Sequence, residues 1–266
     1  MQGMAFLSCG DVRHVSYSQA EVQHHMRERK TGMGQKERYL MIDFLRGFAV
    51  LLMIMFHFAF DLNGFRFIEI DLLGNRFWYA FPRCIVFLFL ICVGMGLALV
   101  HKNGIRWGLL RKRFYKIGGW AFVISIVTYV IFPKNFVFFG ILHCIAATSV
   151  AGVFLVGRPK LSLFLCFLLV IPDLIFQPTL IPISIWLGVT PMDYIPFYPW
   201  VGIVLFGIYL ESVDFHKTPL KRTSLIRLFE AMGKHSLKIY LLHRPVVFGM
   251  VFLLYKLKTP AADFLA

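Results

Sequence analysis

The chain has 266 residues, of which 58% are hydrophobic and only 16% are charged, and its formal net charge is +14. Soluble domains are about half apolar and about a quarter charged, so this composition excludes an ordinary soluble protein. Apolar runs this long and continuous are typical of transmembrane helices rather than barrel strands. The positive charge favours basic cytoplasmic loops that contact anionic lipid over nucleic-acid binding, because the basic residues lie between the apolar segments.

The predicted organisation is an all-α transmembrane bundle between two short polar ends. Residues 1–36 are predicted to form a poorly ordered cytoplasmic tail, residues 37–258 the membrane domain and residues 259–266 a short C-terminal tail. Residues 213–235 are basic and carry apolar residues at i, i+3, i+4 and i+7, which predicts an amphipathic helix on the membrane surface. About seven spans are predicted, over residues of about 40–62, 78–100, 114–132, 136–156, 161–177, 194–212 and 236–255.

The distribution of Lys and Arg predicts a cytoplasmic N-terminus. The segments before the first span, after the second, after the fourth and after the sixth hold six, six, two and six basic residues. The loops on the other side hold two, one and none. Since cytoplasmic loops carry the excess of basic residues, the N-terminus is expected inside and the C-terminus outside.

The first predicted span carries four ionisable residues, Asp43, Arg46, His57 and Asp61, on one stripe. At about 100° per residue, all four lie within a sector of about 60° of the helix circumference. Ionisable residues in membrane helices are costly and usually face a protein interior or a water-filled cavity. Arg46 and His57 are about 16 Å apart along the axis, at about 1.5 Å per residue. The stripe is therefore expected to connect the cytoplasmic and outer sides.

The spacing of His57 and Asp61, four residues apart, allows their side chains to meet on one helix face. A carboxylate that accepts a hydrogen bond from one imidazole nitrogen raises the basicity of the other nitrogen. That arrangement suits a general base acting on a hydroxyl or amine. An isolated histidine would more simply be satisfied by an interhelical hydrogen bond. With Asp61 on the same stripe, catalysis is the favoured interpretation.

Arg46 and Asp43 lie at the cytoplasmic end of the stripe. Three interpretations of Arg46 stay open: an arginine reaching for the lipid headgroups, an intrahelical ion pair with Asp43, and an anion-binding site. The adjacent Gly47 has no side chain, so another backbone or a ligand can approach closely there.

Four further polar residues have alternative interpretations. Arg83 is either an interfacial anchor or part of the outer mouth of a cavity. Ser236 either caps the last span or belongs to a helix N-terminus that holds phosphate. His143 and His243, together with His57, could instead ligate haem. The cysteines have no metal-ligand spacing, and no metal site is predicted.

Four segments of the chain resemble bacterial relatives of heparan-α-glucosaminide N-acetyltransferase, a catalytic domain within the superfamily of transmembrane acyltransferases that modify sugars. The opening pattern of the wider superfamily is an Arg-Gly pair with a histidine eleven residues after the arginine. Arg46, Gly47 and His57 match that pattern. The four segments are RYLMIDFLRGFAVLLMIMFHFAFDL, FFGILHCIAATSV, MDYIPFYPWVGIVLFGIYL and GKHSLKIYLLHRPV.

The resemblance implies acetyl transfer across the bacterial inner membrane. Acetyl-CoA would bind from the cytoplasmic side, and the acetyl group would pass to a sugar or glycan on the outer side. By the matching motif, Arg46 would help to hold the donor and His57 would be the catalytic histidine. The acceptor of the animal enzyme is not implied for a bacterial chain.

The full set of predicted site residues combines this motif with the residue patterns above. The predicted partners are acetyl-CoA, a glycan acceptor and lipid, without nucleic acid, and a homo-oligomer is compatible with the sequence. The competing prediction is a transporter or flippase that moves a polar substrate without chemistry. The predicted catalytic residues are His57 and Asp61, and the predicted donor-binding residues are Arg46, Asp43, His143, Arg83, His243 and Ser236.

Overall fold

The computed structural model describes residues 39–71, 74–176 and 193–258, and the regular elements in these segments are helices. The all-α prediction is confirmed for this part of the chain. Both predicted tails, 1–36 and 259–266, lie outside the described residues. The α-helices of the described segments are α1 (Leu40–Gly64), α2 (Arg76–His101), α3 (Trp107–Ile131), α4 (Ile141–Val153), α5 (Pro159–Phe176), α6 (Phe197–Ser212), α7 (Ser224–Lys234) and α8 (Ser236–Lys258).

Four of these helices, α1, α2, α3 and α8, are long and apolar enough to cross a membrane. The helices α4 and α6 are apolar but shorter. The membrane class is therefore supported, whereas the count of seven spans and the sides of the termini stay predictions. Large apolar side chains of α3 and α8 such as Tyr115, Val130 and Leu253 are exposed. An exposed apolar surface of this kind suits contact with lipid chains.

The third predicted span begins too late in the sequence. The helix α3 starts at Trp107, not at about residue 114, so Arg111, Lys112 and Arg113 are helical. Lys and Arg are good helix formers, and their long stems can lie along an apolar surface while the charge reaches water or a partner. The basic residues mark where the apolar run begins, but the helix itself begins about one to two turns earlier, at Trp107.

The fourth predicted span begins too early, since α4 starts at Ile141. Phe139 instead forms an isolated parallel bridge with Tyr194, and the Ile195 amide donates to the Phe139 carbonyl at 2.9 Å. The Asp193 carboxylate hydrogen-bonds the backbone of Ile141. Asp193 thus serves the N-terminus of α4, which is left with unpaired amides, rather than that of α6.

The centre of the bundle is the crossing of α2 and α6. A Cβ atom at Gly94 would lie 2.1 Å from the Val204 carbonyl oxygen, and one at Gly207 would lie 2.4 Å from the Ile91 carbonyl oxygen. Side chains are excluded at both points, so the two backbones are in contact. Small residues at helix crossings are typical of membrane bundles.

The predicted amphipathic helix is present as α7, and it packs against the N-terminal half of α1. Phe229 is buried in this contact, while Leu225 and Leu228 remain exposed. A Cβ atom at Gly47 of α1 would lie 1.9 Å from the Phe229 carbonyl oxygen, and one at Gly233 of α7 would lie 1.8 Å from the Asp43 carbonyl oxygen. The two glycines fix the contact at the segment of α1 that carries Asp43 and Arg46.

We expect Gly47→Ala to destabilise the protein by about 1–3 kcal/mol, because the added methyl group overlaps the Phe229 carbonyl of a packed helix. Gly249→Ala on α8 is the matched control, since no atom lies within 4 Å of the added Cβ. Without an overlap, replacing a helical Gly by Ala stabilises by roughly 1 kcal/mol. Chemical unfolding in detergent, followed by circular dichroism, measures both variants. Equal effects of the two substitutions would contradict the tight α1–α7 contact.

Candidate active site

At the predicted outer end of α1, His57 lies against His243 of α8. The two ring centroids are 4.9 Å apart and the ring planes are inclined by 46°. His243 is buried, and its Nδ1 lies 2.5 Å from the backbone carbonyl oxygen of Tyr240. The Nδ1 of His57 and the Nε2 of His243 are buried without a hydrogen-bond partner among the described residues. Two imidazoles from different helices thus meet with one unsatisfied nitrogen each.

The predicted contact between Asp61 and His57 is not formed. The Arg244 Nη1 donates to both carboxylate oxygens of Asp61, at 2.6 and 2.7 Å. Asp61 is buried, with 4% of its side chain exposed, whereas Arg244 is 34% exposed. An arginine donor neutralises a buried carboxylate directly, so it is a stronger partner for Asp61 than a neutral imidazole on the same helix. Asp61 and Arg244 therefore connect α1 to α8 next to the histidine pair.

At the predicted cytoplasmic end of α1, Arg46 and Asp43 face each other. Their closest charged atoms, Arg46 Nη1 and Asp43 Oδ1, are 3.8 Å apart. Asp43 is largely buried and Arg46 is 30% exposed. Of the three interpretations of Arg46 from the sequence, the intrahelical ion pair is thus compatible with this geometry, and the guanidinium remains accessible to a further anion.

A second guanidinium, from Arg113 of α3, approaches the same place. A Cβ atom at Gly96 of α2 would lie 3.3 Å from Arg46 Nη2 and 3.8 Å from Arg113 Nη1. The Nε of Arg113 is buried and has no hydrogen-bond partner among the described residues. Two cations therefore converge over a glycine with one carboxylate, that of Asp43, beside them. This excess of positive charge, with the unsatisfied Arg113 Nε donor, suits an anion such as a phosphate.

His143 of α4 lies in a separate polar contact with α3. Its Nε2 is 3.3 Å from the Ser125 hydroxyl, which itself donates to the Val137 carbonyl at 2.7 Å. The hydroxyl therefore accepts from His143, whose other nitrogen is buried without a partner among the described residues. The ring also stacks on Phe139. No contact joins His143 to His57 or His243 in the part of the chain that the structure describes.

The two remaining predicted site residues lie in local surroundings. Arg83 is exposed, and it donates to the Tyr79 carbonyl at 2.7 Å while its guanidinium lies 3.5 Å from the centre of the Tyr79 ring. Ser236 begins α8, with only His235 between it and the end of α7. Neither residue approaches the His57–His243 pair or the Arg46–Arg113 pair through a described contact.

Sequence reasoning missed the roles of Arg113 and Arg244 as partners at the two ends of α1. The charge count places Arg113 in a connecting loop, although its position after the apolar turn from Trp107 to Leu110 is compatible with a helical residue. Arg244 stands directly beside His243, and an arginine within a membrane span calls for a buried acidic partner. That signal could have indicated that Asp61 or another carboxylate was already engaged.

The described residues contain no group of three His, Cys, Asp or Glu side chains arranged to hold a metal ion. The two ends of α1 offer different groups: guanidinium donors for an anion at one end and a pair of adjacent imidazoles at the other. Imidazoles accept and release protons, and guanidinium groups bind phosphate or carboxylate groups. The arrangement suits group transfer with acid–base assistance.

A comparison with family models matches residues 38–245 to the family described as heparan-alpha-glucosaminide N-acetyltransferase, catalytic. The match covers both ends of the α1 stripe and reaches His243 and Arg244. Neither a curated protein nor a solved structure matched the chain. Because the family model spans well over half of the sequence, the chain belongs to the heparan-alpha-glucosaminide N-acetyltransferase catalytic family and is a membrane protein of the acyltransferase type.

Proposed function

We propose that the protein transfers an acetyl group from cytoplasmic acetyl-CoA to an amino or hydroxyl group of a sugar or glycan on the outer side of the membrane. The observation that carries this proposal is the placement of two different chemistries on one helix. Two guanidinium groups converge at Arg46, and two imidazoles meet at His57. About 16 Å of helix axis lies between these positions, at about 1.5 Å per residue.

The Arg46 end supports binding of the donor. Acetyl-CoA carries several phosphate charges at one end of a long flexible arm and the reactive thioester at the other. Phosphate groups bind arginine forks through short charge-assisted hydrogen bonds. With Arg46 and Arg113 on the phosphates, the arm would extend along α1 towards His57. Asp43 would hold Arg46 in place between turnovers.

The His57 end supports the chemical step. A neutral imidazole takes the proton of the acceptor amine or hydroxyl as that group attacks the thioester carbonyl. The new C–N or C–O bond forms, the C–S bond breaks, and the proton passes from His57 to the CoA sulfur. In this scheme the imidazole of His57 returns to its neutral state at the end of each turnover.

The test is acetyl transfer by the purified full chain in lipid nanodiscs. Radiolabelled acetyl-CoA is the donor, and p-nitrophenyl α-D-glucosaminide and p-nitrophenyl glucoside are the amino and hydroxyl acceptors. The expected result is acetylated acceptor with stoichiometric release of CoA. Absence of transfer to both acceptors, together with absence of acetyl-CoA binding by calorimetry, would overturn the proposal and favour a protein that moves a substrate without chemistry.

Removing either guanidinium should weaken donor binding more than it slows chemistry. We expect Arg46→Ala and Arg113→Ala each to raise the KM for acetyl-CoA about tenfold or more, because each loses hydrogen bonds to a charged group worth about 1.5–3 kcal/mol. The Lys variants should fall between, since an ammonium keeps the charge but loses the forked geometry.

The matched control is Arg222→Ala, which removes one charge from an exposed basic position after α6. It should leave the KM for acetyl-CoA within about twofold, because a screened surface charge contributes little. A comparable rise in the KM for acetyl-CoA in all three Ala variants would indicate a general effect of positive charge instead of a donor site formed by Arg46 and Arg113.

A further inference from the structure

The tautomer of His243 is set by its backbone contact. A carbonyl oxygen only accepts hydrogen bonds, so the 2.5 Å contact between His243 Nδ1 and the Tyr240 carbonyl places the hydrogen on Nδ1. In the neutral ring, the other nitrogen, Nε2, then carries a lone pair. That Nε2 is buried and finds no donor among the described residues. The Nε2 of His243 is therefore a buried hydrogen-bond acceptor without a donor among the described residues.

The nearest ring is His57, whose Nδ1 is also buried without a partner among the described residues. The two ring centroids are 4.9 Å apart, so a rotation of the His57 ring about its side-chain torsions can bring its Nδ1 to His243 Nε2 while His243 keeps its contact with the Tyr240 carbonyl. A hydrogen on His57 Nδ1 would satisfy both buried atoms at once. An unsatisfied buried polar atom costs about 1–3 kcal/mol, and here one hydrogen bond removes two of them.

Asp61 is not available for this task. Both of its carboxylate oxygens already accept from Arg244, at 2.6 and 2.7 Å. Drawing Asp61 to His57 would leave the Arg244 guanidinium without its carboxylate. The ion pair also fixes Arg244, the neighbour of His243 on α8, against Asp61 of α1. The Asp61–Arg244 pair thus holds α8 in the register that brings His243 to His57.

We propose that His243 is the positioning residue of His57, in the place that the sequence pattern gives to Asp61. The His57 Nδ1–H donates to His243 Nε2, and the His243 Nδ1–H donates to the Tyr240 carbonyl. These two hydrogen bonds leave the lone pair of His57 on Nε2, which is the nitrogen that takes the proton of the acceptor group. The proposal rests on the proposed acetyl transfer and specifies how its base is oriented.

The series of hydrogen bonds from His57 through His243 to the Tyr240 carbonyl also stabilises the protonated state of His57. When His57 Nε2 takes the proton from the acceptor, the positive charge is shared through the Nδ1–H to His243 Nε2. The proton then leaves Nε2 for the sulfur of the departing CoA, and His57 is neutral again. No proton has to leave His243 in this cycle, because its Nδ1–H stays on the Tyr240 carbonyl throughout.

The test compares two replacements of His243 in the full chain. His243→Leu removes the acceptor, while His243→Gln retains a carbonyl oxygen that can accept from His57 Nδ1. We expect the Leu variant to lower kcat about 100-fold, as for loss of an oriented general base, and the Gln variant to recover about tenfold of that loss. The KM for acetyl-CoA should stay within about twofold in both, because the donor phosphates bind at the other end of α1.

The exposed His235, between α7 and α8, supplies the matched controls His235→Leu and His235→Gln, which should leave kcat unchanged. Thermal unfolding of each variant shows whether it is folded. Equal losses of kcat for the Leu and Gln variants at position 243, or losses that appear only in KM, would overturn the positioning role while the wild-type protein still transfers acetyl. Absence of both transfer and acetyl-CoA binding for the wild-type protein would instead overturn the proposed function, and this proposal with it.

Discussion

Replacing His57 by Ala is expected to lower the rate of acetyl transfer about 10³-fold, within the range of about 10²–10⁴ that a general base contributes. The physical reason is that the acceptor's proton then has no side chain to receive it as the thioester is attacked. Binding of acetyl-CoA should persist, since Arg46 lies about 16 Å along α1 from His57, at about 1.5 Å per residue. Arg113 approaches Arg46 at Gly96 and not His57. Single-turnover transfer and calorimetric donor binding measure the two effects separately.

His235→Ala is the control, because it makes the same chemical change at an exposed histidine outside both ends of the stripe. It should keep the wild-type rate. If His57→Ala retained more than about a tenth of the rate, the loss would fall well below the general-base range and His57 would not be the base. A loss of donor binding in the same variant would indicate instead that the substitution disturbs the whole helix.

Much of the fold could be predicted because a membrane helix requires a long, continuous run of apolar residues, which is visible in the sequence. The apolar run from Leu40 to Gly64 is a helix, and so is the amphipathic run from Ser224 to Lys234. The boundaries near charged residues were wrong where the helix continues past the apolar run, as in the first turns of α3. Helix ends depend on hydrogen bonding and tertiary contacts, such as that of Asp193 with α4, which local composition does not encode.

Only the part of the candidate site that lies on one helix, α1, could be predicted from the sequence. The spacing of His57 and Asp61 shows that they can meet, but it does not show that Arg244, 183 residues later, competes for the carboxylate. The Arg46–Arg113 pair likewise depends on Gly96 of a third helix. A helical stripe identifies which residues share a face. The partners across that face follow from packing between helices, and packing is not periodic in sequence.

The Asp61–Arg244 pair gives the largest expected effect on stability. Arg244→Leu leaves the buried Asp61 carboxylate without its donor, and breaking a buried ion pair from one side costs about 3–5 kcal/mol. About 2–4 kcal/mol is expected here, because Arg244 is 34% exposed and the pair is only partly buried. Asp61→Leu should cost less, since the partly exposed arginine that remains can reach solvent and also lies 5.8 Å from the Phe60 ring centre.

The double variant Asp61→Leu/Arg244→Leu should be more stable than Arg244→Leu alone, because a pair of apolar side chains replaces an unpaired buried charge. Chemical unfolding in detergent gives the coupling energy of the cycle. The exposed pair Asp214–Lys217, whose charged atoms are 2.9 Å apart, is the matched control, and its cycle should give a coupling of about 0–1 kcal/mol. Additive effects at Asp61 and Arg244 would contradict an ion pair that holds α1 and α8 together. A strong coupling there, with a weak one at the control pair, would mean that the register of the two imidazoles is maintained by a contact that neither histidine makes.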